Sequence, residues 1–178
     1  MSARSTRTAY GSVAVLIHWT SAAAVILTFL LGWVAADIVS QPPPAGLLVA
    51  HVAMGVLVLV LTLLRIVWWV AADSFPDPHP GQPAWQQRSA QIVHVALYGL
   101  LLLMATSGIV TMLLSGAMPI ILAGGAVPDF SGLGPRLAHG LMSRLLLVLL
   151  AVHVGAALYH QFVRRDRLLA RMGIGRRA

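Results

Sequence analysis

The chain has 178 residues, of which 58% are hydrophobic and only 10% charged, against about 25% charged in an ordinary soluble domain. It contains no cysteine, which excludes disulfides, cysteine-ligated iron–sulfur clusters and thioether-tethered cofactors. The net charge is +7 and every basic residue is an arginine; the arginines gather at the ends of apolar runs, which suits anionic lipid head groups rather than nucleic acid.

Four apolar runs follow one another, at about 13–36, 47–72, 92–114 and 137–162. Each is long enough to cross a hydrocarbon core of ~30 Å at about 1.5 Å per residue, and the helix is the open-chain form that satisfies its own backbone in lipid. The sequence therefore predicts an all-α, integral membrane four-helix transmembrane bundle spanning residues 1–178 as one unit, with tails at 1–12 and 163–178. A signal peptide is the rival reading of the first run, because Val34-Ala35-Ala36 resembles a cleavage site. The run is too long for a signal core and carries His18-Trp19 near its start, so a retained span is expected. Residues 73–83 (DSFPDPHPGQP) are too rich in proline to be helical, as are Pro42-Pro43-Pro44 on the other side.

Arginine placement sets orientation. Arg4, Arg7, Arg65, Arg88, Arg164, Arg165, Arg167, Arg171, Arg176 and Arg177 fall on one side, whereas the opposite loops hold Asp37, Asp129 and Arg136. The positive-inside rule then puts both termini in the cytoplasm. Trp33, Trp68 and Trp69 fall near expected helix ends, as interfacial aromatics do.

Six of the seven histidines lie in or at the ends of the apolar runs: His18, His51, His94, His139, His153 and His160. Ionisable residues at membrane depth are costly and mark function by default, the plain alternative being a histidine that bonds a neighbouring helix. Spacing decides between them. His139 and His153 are separated by 14 positions, close to four helical turns, so they share a face at depths roughly 21 Å apart. That is what two b haems stacked across a bilayer need, one near each leaflet. His18 lies at cytoplasmic depth and is expected to pair with His153 on an inner haem. His51 lies at external depth and is expected to pair with His139 on an outer one. Bis-histidine iron is an electron-transfer centre with no open position for oxygen. Zinc or copper would need three or four ligands at a single depth.

The same offset recurs on the other helices. Adding 14 to His18, His94 and His51 gives Gly32, Gly108 and Arg65. The two glycines then fall on the haem-facing stripe at outer depth, and Arg65 is a cation at inner depth, where propionates need partners. Glycine in a lipid-embedded helix also serves close packing alone. Arg144, five residues beyond His139, points about 140° away from that face and has no assigned role.

Ile17-His18-Trp19, His51 with Gly55 and Arg65, His94 with Tyr98 and Gly108, and the run His139, His153, His160 together resemble the bacterial cytochrome b561 family, most closely its superoxide oxidase members. The resemblance covers nearly the whole chain. Ala105 stands where the family often has proline, and Arg144 lies outside the pattern. The resemblance implies four antiparallel helices with two b haems and a cytoplasmic ubiquinone site at His94 and His160. It also implies a basic residue, Arg136, that draws superoxide to the outer haem, so that superoxide gives up its electron outside and ubiquinone is reduced inside. Membrane lipid, superoxide and ubiquinone are then the partners. Two other readings stay open: an electron-transfer subunit linking a dehydrogenase or c-type cytochrome to quinone, and a transporter or scaffold whose histidines carry protons without haem.

Overall fold

The computed structural model describes residues 2–39, 41–78 and 81–175; Arg176, Arg177 and positions 79 and 80 of the proline-rich loop lie outside them. The described chain forms five α-helices: α1 Ser12–Trp33, α2 Ala45–Ala71, α3 Ala84–Ser115, α4 Ala117–Leu122 and α5 Gly134–Leu158. A π-helical turn, Val34–Ile38, extends α1; a second, Tyr159–Arg164, extends α5; and a 3-10 turn, Leu168–Met172, follows. Four segments are long and apolar enough to cross a membrane: Ser12–Ile38, Ala45–Ala71, Ala84–Ser115 and Gly134–Arg164.

Proline and glycine set the boundaries. α2 and α3 begin directly after Pro44 and Pro83, and α5 carries proline in its first turn, where the missing N–H is not needed. α3 stops at Gly116, which adopts φ 60°, a left-handed cap that glycine alone takes without Cβ strain. Two boundaries differ from the apolar runs. α3 starts eight residues before the third run, through Ala84, Trp85, Gln86, Gln87 and Arg88. Hydropathy measures solubility in lipid, while alanine, glutamine and arginine are good helix formers, so the helix extends beyond the apolar part. The short α4 is likewise not signalled by a run of membrane length.

α1 lies along α2 and α3 along α5; the two pairs meet through α2 and α3. At mid-height Ala24, Val25 and Val58 are buried, with Met54, Leu61, Leu101 and Leu150 packed against them. This apolar layer draws on all four long helices. A second cluster, Leu48, Ala117, Ile121 and Val127, with Phe130 against it, seats α4 and the following loop on the start of α2. The outward faces are apolar and exposed, among them Leu27, Leu64, Leu103 and Val148, as lipid-facing surfaces are.

The end carrying both tails is knitted together by polar contacts. Ser5 donates its N–H (2.9 Å) and hydroxyl (2.8 Å) to the Asp73 carboxylate, which also accepts from the Trp68 indole at 3.0 Å. Burial alone would push the Asp73 carboxyl up, but these bonds and one from the Ser74 N–H outweigh it and hold it below the usual carboxylate value. Arg7 pairs with Asp77 at 2.8 Å, and Arg171 donates to the carbonyls of Thr8 (2.9 Å) and Asp77 (2.7 Å). The Trp19 indole donates to the Met172 carbonyl at 3.0 Å. N-terminal tail, α2–α3 loop and C-terminal tail thus form one cap, and the bundle has a tail end and an opposite loop end.

Candidate functional site

Two histidine pairs face each other across the bundle, one on each side of the mid-height apolar layer. At the loop end His51 of α2 meets His139 of α5, with ring centres 6.1 Å apart and planes at 77°. The His51 Nδ1 lies 3.0 Å from the Thr28 carbonyl. The His139 Nδ1 lies 3.0 Å from the Met104 carbonyl and 3.1 Å from the Ser107 hydroxyl. A carbonyl oxygen only accepts, so each Nδ1 carries the proton and each Nε2 keeps its lone pair. A metal-ligating histidine is commonly fixed in this way, by donating its other N–H to a carbonyl.

Gly32 and Gly108 make room for these rings. A Cβ on Gly32 would fall 2.7 Å from Cε1 of His51, and one on Gly108 would fall 3.3 Å from Cε1 of His139. Their place on the stripe is therefore more specific than spacing alone tells: each abuts an imidazole from a neighbouring helix.

At the tail end His18 of α1 meets His153 of α5, ring centres 6.3 Å apart. His94 of α3 approaches the same His153 ring more closely, at 5.2 Å and 78°, and its Nδ1 donates to the Ala90 carbonyl at 2.7 Å. The Nδ1 of His18 is buried with no partner among the described residues. Two imidazoles bound to one metal on opposite sides, each nitrogen about 2.0 Å from it, have ring centres about 6.3 Å apart. The separations of 6.1 and 6.3 Å fit that demand, while the 5.2 Å of His94 and His153 is too short. Among the described residues no three or more His, Cys, Asp or Glu gather as a zinc or copper site would require.

Arg65 lies at the tail-end level, its guanidinium carbon 5.4 Å from the centre of the Tyr98 ring. Its Nε and the Trp69 indole N–H are buried without acceptors among the described residues. Such donors suit an anionic group such as a haem propionate. His160 sits in the π-helical turn after α5 and is only 9% exposed. Its Nδ1 meets the Asp166 carboxylate at 2.5 Å and its ring stands edge-on to Tyr159. The two histidines expected at a quinone site thus have different ring neighbours, His153 for His94 and Tyr159 for His160. Arg136 occupies the first turn of α5, half-buried, with a guanidinium nitrogen close over Gly140 and no carboxylate partner among the described residues. Arg144 is exposed on the lipid-facing side of α5 beside Leu141, Leu145 and Val148.

Sequence reasoning missed Ser107, the Thr28 and Met104 carbonyls and Asp166. A backbone carbonyl has no residue signature. Asp166 is the one acid in an arginine-rich tail, which was the available signal.

A bundle of four lipid-facing helices with paired histidines at two levels is the architecture of a membrane cytochrome b. The chain belongs to the prokaryotic cytochrome b561 family, whose model matches residues 9–175, and it is therefore a multi-pass membrane cytochrome of electron transfer. It is 27% identical over 177 residues to cytochrome b561 homolog 1 of Escherichia coli K12, spanning 92% of this chain and 96% of that protein. It is 29% identical over 187 residues to cytochrome b561 homolog 2 of the same organism, spanning 97% of this chain and 95% of that protein. With cytochrome b562 of Cereibacter sphaeroides it shares 32% identity over 169 residues, spanning 92% of this chain and 94% of that protein. No solved structure matches the chain.

Proposed function

We propose that this cytochrome holds two b haems and carries electrons across a bacterial inner membrane from periplasmic superoxide to ubiquinone. The observation that supports this reading best is the presence of two opposed histidine pairs, 6.1 and 6.3 Å between ring centres, with an apolar layer between them. When bound, haem supplies a one-electron couple at each level. His51 and His139 would hold one iron and His18 and His153 the other. Gly32 and Gly108 leave the loop-end imidazoles their space, and the buried Arg65 Nε would serve a propionate at the tail end.

With eight of the described arginines toward the tail end, Arg4, Arg7, Arg65, Arg88, Arg164, Arg165, Arg167 and Arg171, that end lies in the cytoplasm and the loop end in the periplasm. Arg136, without a carboxylate partner among the described residues at the periplasmic end, raises the local concentration of an anion such as superoxide, and salt screens the effect. His94 and His160 serve ubiquinone at the cytoplasmic end, where an imidazole hydrogen-bonds a quinone oxygen and passes it a proton. One observation favours a second reading, an electron-transfer subunit docked to a membrane partner: Arg144 is exposed on a lipid-facing surface, where an isolated charge is costly.

The test is superoxide-driven quinone reduction by the purified protein alone. Turnover without any other protein supports the oxidase. Haem that superoxide leaves oxidised, or that is reduced only when a second redox protein is added, overturns it in favour of the subunit.

A further inference from the structure

Of the described carboxylates, Asp166 is the one turned back onto a histidine. The chain leaves the π-helical turn at Arg164 and reverses through Arg165 (φ 54°) and Arg167 (φ 57°). Both are non-glycine residues in the left-handed region, a conformation that costs energy and persists where the surroundings enforce it. Arg165 and Arg167 point into solvent, while Asp166 between them is half-buried. One carboxylate oxygen meets the His160 Nδ1 at 2.5 Å, the other accepts the Leu168 N–H at 3.3 Å, and the Asp166 N–H donates to the His160 carbonyl at 3.3 Å. The side chains of the pair are only 11% and 16% exposed. His160 lies in a π-helical turn, a local irregularity found often at functional positions.

We propose that Asp166 is a positioning residue for quinone reduction: it holds the Nδ1–H of His160, fixes the ring, and leaves Nε2 as the atom that delivers a proton to the quinone. The proposal rests on the assignment of His160 to ubiquinone made above. Reducing one quinone to quinol takes two electrons and two protons. The electrons arrive singly from two superoxide ions, each of which leaves as dioxygen. His160 gives a proton from Nε2 to a quinone oxygen and regains one from cytoplasmic water before the next transfer. While Nε2 holds that proton the ring is positively charged, and the carboxylate against Nδ1 compensates the charge in a setting that excludes most water.

Asp166→Asn removes the charge while its one amide oxygen still accepts from Nδ1, giving up only the longer 3.3 Å bond from the Leu168 N–H. In the purified full chain with both haems, Asp166→Asn is expected to leave haem spectra, reduction by superoxide and the half-saturating ubiquinone concentration unchanged. The maximal rate of haem reoxidation by ubiquinone should fall roughly tenfold or more, and Asp166→Glu should restore most of it. His160→Gln is the control for the underlying assignment. If His160→Gln reoxidises at the wild-type rate, the quinone role of His160 fails and this proposal fails with it. If His160→Gln is slow but Asp166→Asn is not, the quinone role stands and the proposal alone is overturned. It is also overturned if Asp166→Asn only raises the half-saturating quinone concentration, or if trypsin cuts the tail at Arg167 and Arg171 faster in both Asp166 variants, the signature of a purely structural clamp.

Discussion

The two histidine pairs are alike in spacing and unlike in support. At the loop end both Nδ1 atoms are held by backbone carbonyls, Thr28 for His51 and Met104 for His139, and each ring abuts a glycine from a neighbouring helix. At the tail end His18 has a buried Nδ1 without a partner among the described residues, and a third imidazole, His94, crowds His153. At the loop end each ring is fixed from behind, with its Nε2 left free. The tail-end pair has further ionisable and aromatic groups close by, His94, Arg65 and Tyr98. Under the proposed function, the loop end would admit electrons and the tail end would couple their exit to protons.

Removing a ligand should have the largest effect. His51→Ala or His139→Ala is expected to abolish the loop-end haem and leave the other largely intact, and His18→Ala or His153→Ala the reverse. Low-temperature difference spectra, which resolve the two haems, check this. If His94→Ala removes the tail-end haem while His18→Ala does not, the tail-end pair is misassigned.

The glycines sharpen the comparison. Gly32→Ala puts a methyl group 2.7 Å from the His51 ring, whereas Gly108→Ala reaches only 3.3 Å from His139. Overpacking of this kind costs about 1–3 kcal/mol. Gly32→Ala should therefore reduce loop-end haem occupancy and thermal stability clearly, and Gly108→Ala much less, as read by haem content and melting of the purified protein.

The hydrogen bonds predict an order of potentials. An imidazole whose Nδ1–H is held by a carbonyl donates more strongly to iron and favours the ferric form. The loop-end centre should have the lower midpoint, so electrons run downhill toward the tail end. Redox titration of the ligand variants tests this: the lower-potential wave should vanish in His51→Ala. Loss of the higher wave instead would contradict the reading of the asymmetry.

The smallest effect is expected in the cap. The folded-state pKa of Asp73 is depressed, so its contribution is present above the ordinary carboxylate value and fades as pH falls through the folded value. Because the site is near the surface the contribution is small. Asp73→Asn at neutral pH should speed hydrogen exchange of the N-terminal tail around Ser5 without altering either haem.

Much of this arrangement is legible in the sequence because a helix is periodic. The offset of 14 that links His139 to His153 also links His18 to Gly32, His94 to Gly108 and His51 to Arg65, and it needs no tertiary information. What the sequence does not carry is anything made by the backbone or by a tight turn. Met104 and Thr28 act through carbonyls that any residue would supply. Asp166 reaches His160 only because Arg165 and Arg167 adopt conformations their residue type does not favour. The start of α3 at Ala84 is hidden for another reason: its first turns stand outside the apolar run, where hydropathy is silent.

The central claim is that one chain holds two separate bis-histidine haems. A pyridine haemochrome assay of the purified wild-type protein, set against its measured protein concentration, tests that most directly. The account predicts two haem b per chain, both extracted by acidified acetone because no cysteine tethers them. One haem per chain, or none, would contradict it.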